Sequence, residues 1–136
     1  MRLTSLADYA VVMMAAAARH PTGARLTATL LAEETGVPLP TAQKLTGRLA
    51  AAGLLATARG TGGGFTMSRL PSEISLADIV EAVEGPIVMT SCIDEQRHDC
   101  ALEACCQVRP HMNVVNGAVR GALQSVSLSS LAEAKA

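Results

Sequence analysis

The chain has 136 residues, of which 49% are apolar and 17% charged, so we expect one ordinary globular domain with its own core. Tyr9 and Phe65 are the only aromatic residues, which excludes a single-stranded nucleic-acid binder that stacks bases on aromatic side chains. Residues 1–60 carry six basic and three acidic groups, whereas residues 61–136 carry five and nine. Although the formal net charge of the chain is only −1, its first half is therefore basic, which suits a polyanion partner.

The longest apolar run, residues 9–18, is too short for a membrane span, which needs about twenty residues. It follows Arg2 as a signal-peptide core would, but Asp8 interrupts the pattern and the run fits a helix of the predicted fold. We therefore expect a cytoplasmic protein with no membrane partner. Four cysteines in a reducing compartment are more typical of metal ligands or redox groups than of structural disulfides.

Helical periodicity, N-caps and glycine stops predict a mainly α protein with one β-hairpin. Ser75 with Asp78 has the spacing of a capping box, and Gly85 suits the end of the same helix. The predicted elements are helices at 4–19, 27–34, 40–52 and 75–83, strands at 54–58 and 65–68, a loop at 91–106, a long helix after Pro110 and a closing turn at 127–133.

Two short helices joined by a tight turn and followed by a hairpin are typical of a winged helix–turn–helix, whose second helix fits the major groove of double-stranded DNA. Thr41, Lys44 and Arg48 form a polar stripe on that second helix. Arg59 begins the glycine-rich tip of the hairpin and is suited to a minor groove. The alternative on these residues alone is a generic helical domain with a glycine-rich turn. A phosphate-binding P-loop does not fit, because the tip lacks the lysine and precedes a strand.

The cysteines of the chain are Cys92, Cys100, Cys105 and Cys106. Thiolates bind soft and borderline metals, and an iron–sulfur cluster usually takes four ligands. Adjacent cysteines rarely both bind one site, so one of the last two is expected to be spare. Zinc, with His98 or His111 as fourth ligand, and a set of free cysteines on a loop are the alternatives.

The long helix after Pro110 carries apolar residues at alternating three- and four-residue steps. This stripe favours a homodimer seam, because a helix outside a compact winged helix has little else to bury it. An intramolecular core is the alternative. The stripe consists of Met112, Val115, Val119, Ala122 and Val126.

Taken together, the sequence resembles the Rrf-two family of bacterial winged-helix regulators over essentially its full length. The resemblance is carried by the start Met1-Arg2-Leu3-Thr4-Ser5 with Asp8-Tyr9-Ala10-Val11, by Gly36-Val37-Pro38, by Leu49 with Gly53-Leu54, by Arg59-Gly60 with Gly62-Gly63-Gly64-Phe65, by the helix from Ser75 to Gly85, and by the cysteine loop.

The resemblance implies a homodimer that binds a double-stranded DNA operator and senses through an Fe–S cluster held by three cysteines and one further ligand. It also implies that Thr41, Gln43 and Lys44 lie near the bases, with Arg48 on a phosphate. Regulators of the Suf system are most similar; the Isc regulator, the rhizobial iron regulator and the nitric-oxide-sensing repressor also resemble the chain.

Within that family pattern, the five-residue gap between Cys100 and Cys106 fits better than the gap to Cys105, so Cys92, Cys100 and Cys106 are implied as ligands. Asp8 matches the carboxylate ligand of the nitric-oxide-sensing type. Arg109 stands where one cluster-assembly type has a histidine ligand. A 4Fe–4S cluster is favoured, with a 2Fe–2S cluster as the alternative.

The expected organisation is a winged helix–turn–helix over residues 1–85, a cluster-binding loop over 86–109, and a dimerisation helix with a C-terminal turn over 110–136. The expected function is a repressor-type transcription regulator that senses iron, redox state or nitric oxide and controls genes of Fe–S cluster assembly or iron homeostasis. The alternative is a zinc-binding winged-helix interaction module. An enzyme is not expected, because the chain lacks a Cys-x-x-Cys pair, a cofactor fingerprint and an acid–base constellation.

Overall fold

The computed structural model describes residues 3–58, 63–87 and 109–133. These residues form a mainly helical structure with one two-stranded antiparallel sheet, which confirms the expected fold class. The elements are α1 (Ser5–Ala18), α2 (Ala28–Thr35), α3 (Leu39–Ala51), β1 (Leu55–Thr57), β2 (Phe65–Met67), a 3₁₀ turn (Pro71–Glu73), α4 (Leu76–Glu84), α5 (Arg109–Gln124) and α6 (Leu128–Glu133).

The helix ends follow the local signals in the sequence. Thr4 and Thr27 cap α1 and α2 by accepting backbone N–H groups of the first turn through their hydroxyls. Ser75 and Asp78 form the expected capping box at α4, with both hydrogen bonds present. Gly36 ends α2 in the left-handed conformation, at φ 83°. These caps satisfy backbone groups that each helix leaves without an internal partner.

The core forms around α1, whose small and flexible side chains let the other helices approach closely. Met13 and Met14 are at most 1% exposed, and five alanines of α1 are buried beside them. Tyr9 and Val12 lie on the outer face of α1 and are 38% and 42% exposed. The largest side chains with less than 2% exposure are Met13, Met14, Leu26, Leu31, Leu45, Leu49, Leu54, Ile74, Ile79 and Leu128.

The carboxyl-terminal residues return to this core. Leu128 is fully buried, its N–H donates to the Ile74 carbonyl at 2.8 Å, and the Leu76 N–H donates to the Val126 carbonyl at 2.8 Å. Residues 127–133 are therefore more than the closing turn that the sequence indicates, because most of them form helix α6 packed against α1. Ser127 begins this helix by accepting the Ser130 N–H at 3.2 Å.

The hairpin pairs β1 with β2 in antiparallel register, with Leu55 opposite Met67 and Thr57 opposite Phe65. Leu26, which lies before α2, adds a third short partner to this sheet. Its N–H donates to the Phe65 carbonyl at 2.7 Å and its carbonyl accepts the Phe65 N–H at 2.8 Å. Strand β2 is therefore paired on both of its edges, with β1 and with Leu26, an arrangement that the sequence does not reveal.

Gly64 makes this contact sterically possible, so we expect Gly64→Ala to destabilise the fold. Its φ is +111°, and an added Cβ would lie 2.7 Å from the Leu26 carbonyl oxygen. Backbone strain of this kind costs about 1–3 kcal/mol before the steric contact is counted. The free energy of unfolding, measured by urea denaturation, should fall by more than in the control Gly63→Ala. Gly63 also has positive φ, but a Cβ added there would have nothing within 4 Å. Equal losses in the two variants would contradict this role of Gly64.

Candidate nucleic-acid interface

Helix α3 presents one buried and one exposed face. Ala42, Leu45 and Leu49 are buried in the core, whereas Gln43 and Lys44 are exposed. The other exposed positions of this helix include Pro40, Gly47 and Ala51. Because successive residues turn by about 100° around a helix, these exposed positions form one continuous face. That face combines a cation, an amide and small residues, so it can approach the edge of another molecule closely.

The turn before α3 fixes the angle at which this face is presented. The Thr35 hydroxyl donates to the Leu31 carbonyl at 2.6 Å and accepts the Val37 N–H at 3.2 Å. Val37 is 4% exposed and anchors the turn in the core. The helix–turn–helix unit is therefore a rigid support for α3, as reading a groove in DNA requires.

Thr41 and Arg48 lie at the border of the exposed face, and both are half-buried. The Arg48 Nη1 donates to the Val83 carbonyl at 3.0 Å, in the last turn of α4. The structure therefore brings Gln43 and Lys44 together on the open surface and gives Arg48 a partner within the fold. Sequence spacing alone could not distinguish the exposed Gln43 and Lys44 from the internally bonded Arg48, because all three lie on the polar side of α3.

The wing follows α3 in the chain, and its glycine-rich tip carries a basic residue in the sequence. Arg59 lies outside the described residues, but the Ala58 N–H donates to the Gly64 carbonyl at 2.8 Å, so the paired hairpin reaches the residue before Arg59. At the base of the wing, the aliphatic part of Arg25 packs beside Gly64. Sequence reasoning missed Arg25; the available signal was a basic residue directly before the segment that joins the sheet.

The predicted cluster ligands fall into two groups. Cys92, Cys100 and Cys106, with Cys105, lie outside the described residues. Asp8 is described: it is exposed and lies in the first turn of α1. Within residues 3–58, 63–87 and 109–133, no group of three or more His, Cys, Asp or Glu side chains is arranged to hold a metal ion.

The position of Asp8 is nevertheless informative. The Thr4 hydroxyl, one turn before it, donates to the Glu84 carboxylate, so the start of α1 is joined to the end of α4. The segment that contains all four cysteines follows α4 directly in the chain. The donor set fits an iron site in its chemistry, since thiolates are the usual ligands of Fe–S clusters and a carboxylate is a harder oxygen ligand.

Helix α5, which follows the cysteine segment, is held to α4 by a charged pair. The Arg120 Nη2 lies 2.8 Å from the Glu81 Oε1, and the Glu81 Oε2 accepts the Ile87 N–H at 3.2 Å. Met112, Val119 and Val126 of the predicted stripe are half-buried, whereas Val115 and Ala122 are exposed together with Val114.

None of the helices within the described ranges has the length and apolar character to cross a membrane.

Comparison with known proteins identifies the family of this architecture. Residues 3–134 match the family model described as "Rrf2: Iron-dependent Transcriptional regulator". The chain is 31% identical over 131 residues to the HTH-type transcriptional regulator IscR of Photorhabdus laumondii, and the match covers 96% of this chain and 79% of that protein.

Two solved structures share the fold. CymR (YrzC), the global cysteine regulator of B. subtilis, has a TM-score of 0.75 at 22% identity, covering 100% of this chain and 99% of CymR. T. potens IscR has a TM-score of 0.70 at 23% identity, covering 96% and 85%. The resemblance found in the sequence is thus confirmed: the chain belongs to the Rrf2 (Rrf-two) family and is a DNA-binding winged-helix transcription regulator, not an enzyme.

Proposed function

We propose that a homodimer of this chain binds a double-stranded DNA operator and adjusts its affinity through an Fe–S cluster, controlling genes of cluster assembly or iron homeostasis in the cytoplasm. The observation that carries the DNA-binding part is the exposed face of α3 with Gln43 and Lys44, on a helix that follows a hydrogen-bonded turn and precedes the wing in the chain. The family description, iron-dependent transcriptional regulation, supports the sensing part.

In the DNA-binding part, Gln43, Lys44 and Thr41 would lie at the base edges of the major groove, with the exposed Lys44 ammonium also in contact with the adjacent phosphate backbone, and Arg59 would enter a minor groove. Two copies of α3 in a dimer would occupy successive major grooves, so the operator would contain two half-sites about one helical turn apart. Arg48 is less suited to the phosphate contact expected of it, because its guanidinium has a partner inside the fold.

In the sensing part, Cys92, Cys100, Cys106 and Asp8 would hold the cluster, with 4Fe–4S favoured over 2Fe–2S. When bound, such a cluster supplies a redox- and ligand-sensitive centre whose stability depends on its donors. In chain order that segment lies between α4 and α5, two helices that Glu81 and Arg120 join. Loss of the cluster should therefore change how the winged helix–turn–helix units of the two protomers are placed relative to each other, and this change should alter the affinity for DNA.

The first experiment is to purify the protein without oxygen, measure iron, sulfide and zinc, and test binding to DNA from its own upstream region. A coloured protein with iron and sulfide, whose operator affinity differs between cluster-loaded and apo forms at one salt concentration, supports the proposal. A colourless protein with stoichiometric zinc and no preference for any duplex would favour the alternative, a zinc-containing interaction module.

The second experiment tests the contacts on DNA. Lys44→Met, Gln43→Ala and Arg59→Ala should each weaken binding to the cognate operator by about 1–3 kcal/mol, the range for a lost base or phosphate contact. Fluorescence anisotropy with a labelled duplex measures this loss. Arg19→Met is the charge-matched control, because the Arg19 Nε is bonded to the Ala132 carbonyl of α6. Unchanged operator affinity in Arg59→Ala would refute the wing contact, and a similar loss in the control would show a general charge effect.

A further inference from the structure

The last turn of α4 is the point where three other elements are attached. From α1, the Thr4 hydroxyl donates to Glu84; from α5, Arg120 pairs with Glu81; and from α3, Arg48 donates to the Val83 carbonyl. These attachments come from helices that are far apart in the sequence. This turn also ends the last described helix before the cysteine segment in the chain.

Arg48 is the attachment that reaches the DNA-reading helix. The Val83 carbonyl is one of the last carbonyl groups of α4, which have no partner within their own helix. A cation at this end of a helix is favoured by the helix dipole, and a hydrogen bond from a charged donor is stronger than a neutral one. The guanidinium is half-buried and its Nη1 lies 3.0 Å from this oxygen.

This placement conflicts with the simplest use of an arginine on a DNA-reading helix, which is to hold a phosphate. An arginine that turned outward to a phosphate would leave the Val83 carbonyl without that donor. Lys44, one turn earlier on α3, is exposed and better placed to supply a charge to the DNA backbone.

We propose that Arg48 is a positioning residue, which fixes the angle of α3 relative to the end of α4 and makes the DNA-reading face follow movements of that turn. This proposal rests on the proposed function, since it assigns a route by which the cysteine segment affects operator affinity. Arg48 then contributes to specific binding through the orientation of Gln43 and Lys44, without contacting DNA.

The salt dependence of binding separates a positioning residue from a phosphate contact. Each neutralised phosphate contributes about 0.9 to the slope of log K against log salt concentration. Arg48→Met should weaken specific binding about tenfold, the size expected for one lost charge-assisted hydrogen bond, and leave the slope and the non-specific affinity unchanged. Lys44→Met is the matched control, and its slope should fall by about one. The probe is a duplex recovered by in vitro selection, titrated between about 50 and 200 mM salt.

Arg48→Gln is measured in parallel, because it removes the charge and keeps an N–H donor; its slope should also stay unchanged and its affinity loss should be smaller. A measurement without DNA completes the set. Hydrogen exchange of the Gly85 and Ile87 amides, which donate to Glu81, should be faster in Arg48→Met if this arginine holds the last turn of α4.

A slope that falls in Arg48→Met as it does in Lys44→Met would overturn the inference and make Arg48 a phosphate contact. Unchanged operator affinity or unchanged hydrogen exchange in that variant would overturn it too. Failure of the proposed function gives a different result: wild-type protein then shows no preference for any selected duplex, whatever the variants do. If Arg48 couples the cysteine segment to the DNA-binding face of α3, one more result is expected. In Arg48→Met, the ratio of the operator affinities of cluster-loaded and apo protein should move towards one.

Discussion

Single alanine substitutions of Cys92, Cys100 and Cys106 are expected to lower cluster retention by at least about tenfold, because loss of even an outer-shell partner of a metal ligand costs 10–100-fold in affinity. Each of these changes removes a thiolate from an iron, which then has no strong donor at that position. Anaerobic reconstitution followed by counting of iron and sulfide measures the result, and the visible spectrum reports the cluster type.

Cys105→Ala is the matched control for this series. Cys105 directly precedes Cys106, so the two side chains leave neighbouring backbone positions and are not expected to bind one iron together. The control should therefore retain iron and sulfide at the wild-type level. Loss of the cluster in Cys105→Ala with retention in Cys106→Ala would show that the choice between the two cysteines is wrong.

Asp8 is expected to respond differently from the cysteines. A carboxylate oxygen is a harder and weaker partner for cluster iron than a thiolate, so Asp8→Ala should alter the spectrum and the reaction with oxygen or nitric oxide more than it lowers the iron content. The Thr4–Glu84 contact places the first turn of α1 beside the end of α4, in keeping with this role. An unchanged spectrum and unchanged reactivity would leave Asp8 as a helix-end carboxylate, and the fourth ligand would have to be sought at His98, His111 or a small molecule.

The parts of the fold that the sequence predicts are those set by neighbouring residues. The capping box of Ser75 and Asp78 and the left-handed Gly36 each act over three or four positions, so the spacing alone identifies them. Helical periodicity predicts an apolar stripe of Ala42, Leu45, Leu49 and Ala52 on α3. The first three are buried as expected, whereas Ala52 is exposed because it lies at the C-cap, beyond the last turn that packs on the core.

The parts that the sequence does not predict depend on partners far away along the chain. Leu26 pairs with Phe65, and Leu76 with Val126, through backbone N–H and carbonyl groups. These groups do not depend on the type of side chain, so no side-chain pattern in the sequence indicates the two pairs. Arg48 fits a polar surface position in the sequence, yet its partner is the Val83 carbonyl, 35 residues away. Periodicity assigns a residue to a face of a helix and does not identify what covers that face.

The predicted seam on α5 illustrates the same limit within one helix. An alternating three- and four-residue stripe does not tell which side faces the molecule's own core. In the structure Met112 and Val119 are half-buried on α5, and Val126, which lies beyond the end of this helix, is half-buried as well, whereas Val115 and Ala122 are exposed. The exposed apolar face of α5 is therefore made of Val114, Val115, Ala118 and Ala122, which is the face we propose for the dimer.

Val114→Asp is expected to dissociate the homodimer and thereby reduce operator binding. Val114 is 72% exposed in a single chain, the largest exposure among the large apolar side chains in the part of the protein that the structure describes. A symmetric dimer carries the change twice, and an unpaired charge at a buried interface costs several kcal/mol, so the dissociation constant should rise by at least about 100-fold. Sedimentation across a range of protein concentrations measures the dimer directly.

Asn113→Asp is the matched control, because it adds the same charge at the neighbouring position. Asn113 is also exposed, but it is rotated by about 100° from Val114 around the helix and lies on the polar side of α5. The control should keep its dimer. In Val114→Asp, binding to a complete operator should fall to the level of an isolated half-site, while half-site binding itself stays unchanged, because the α3 surface is intact. If Val114→Asp dimerises like the wild type, the seam lies elsewhere, and the exposed Tyr9 and Val12 of α1 are the next apolar surface to test.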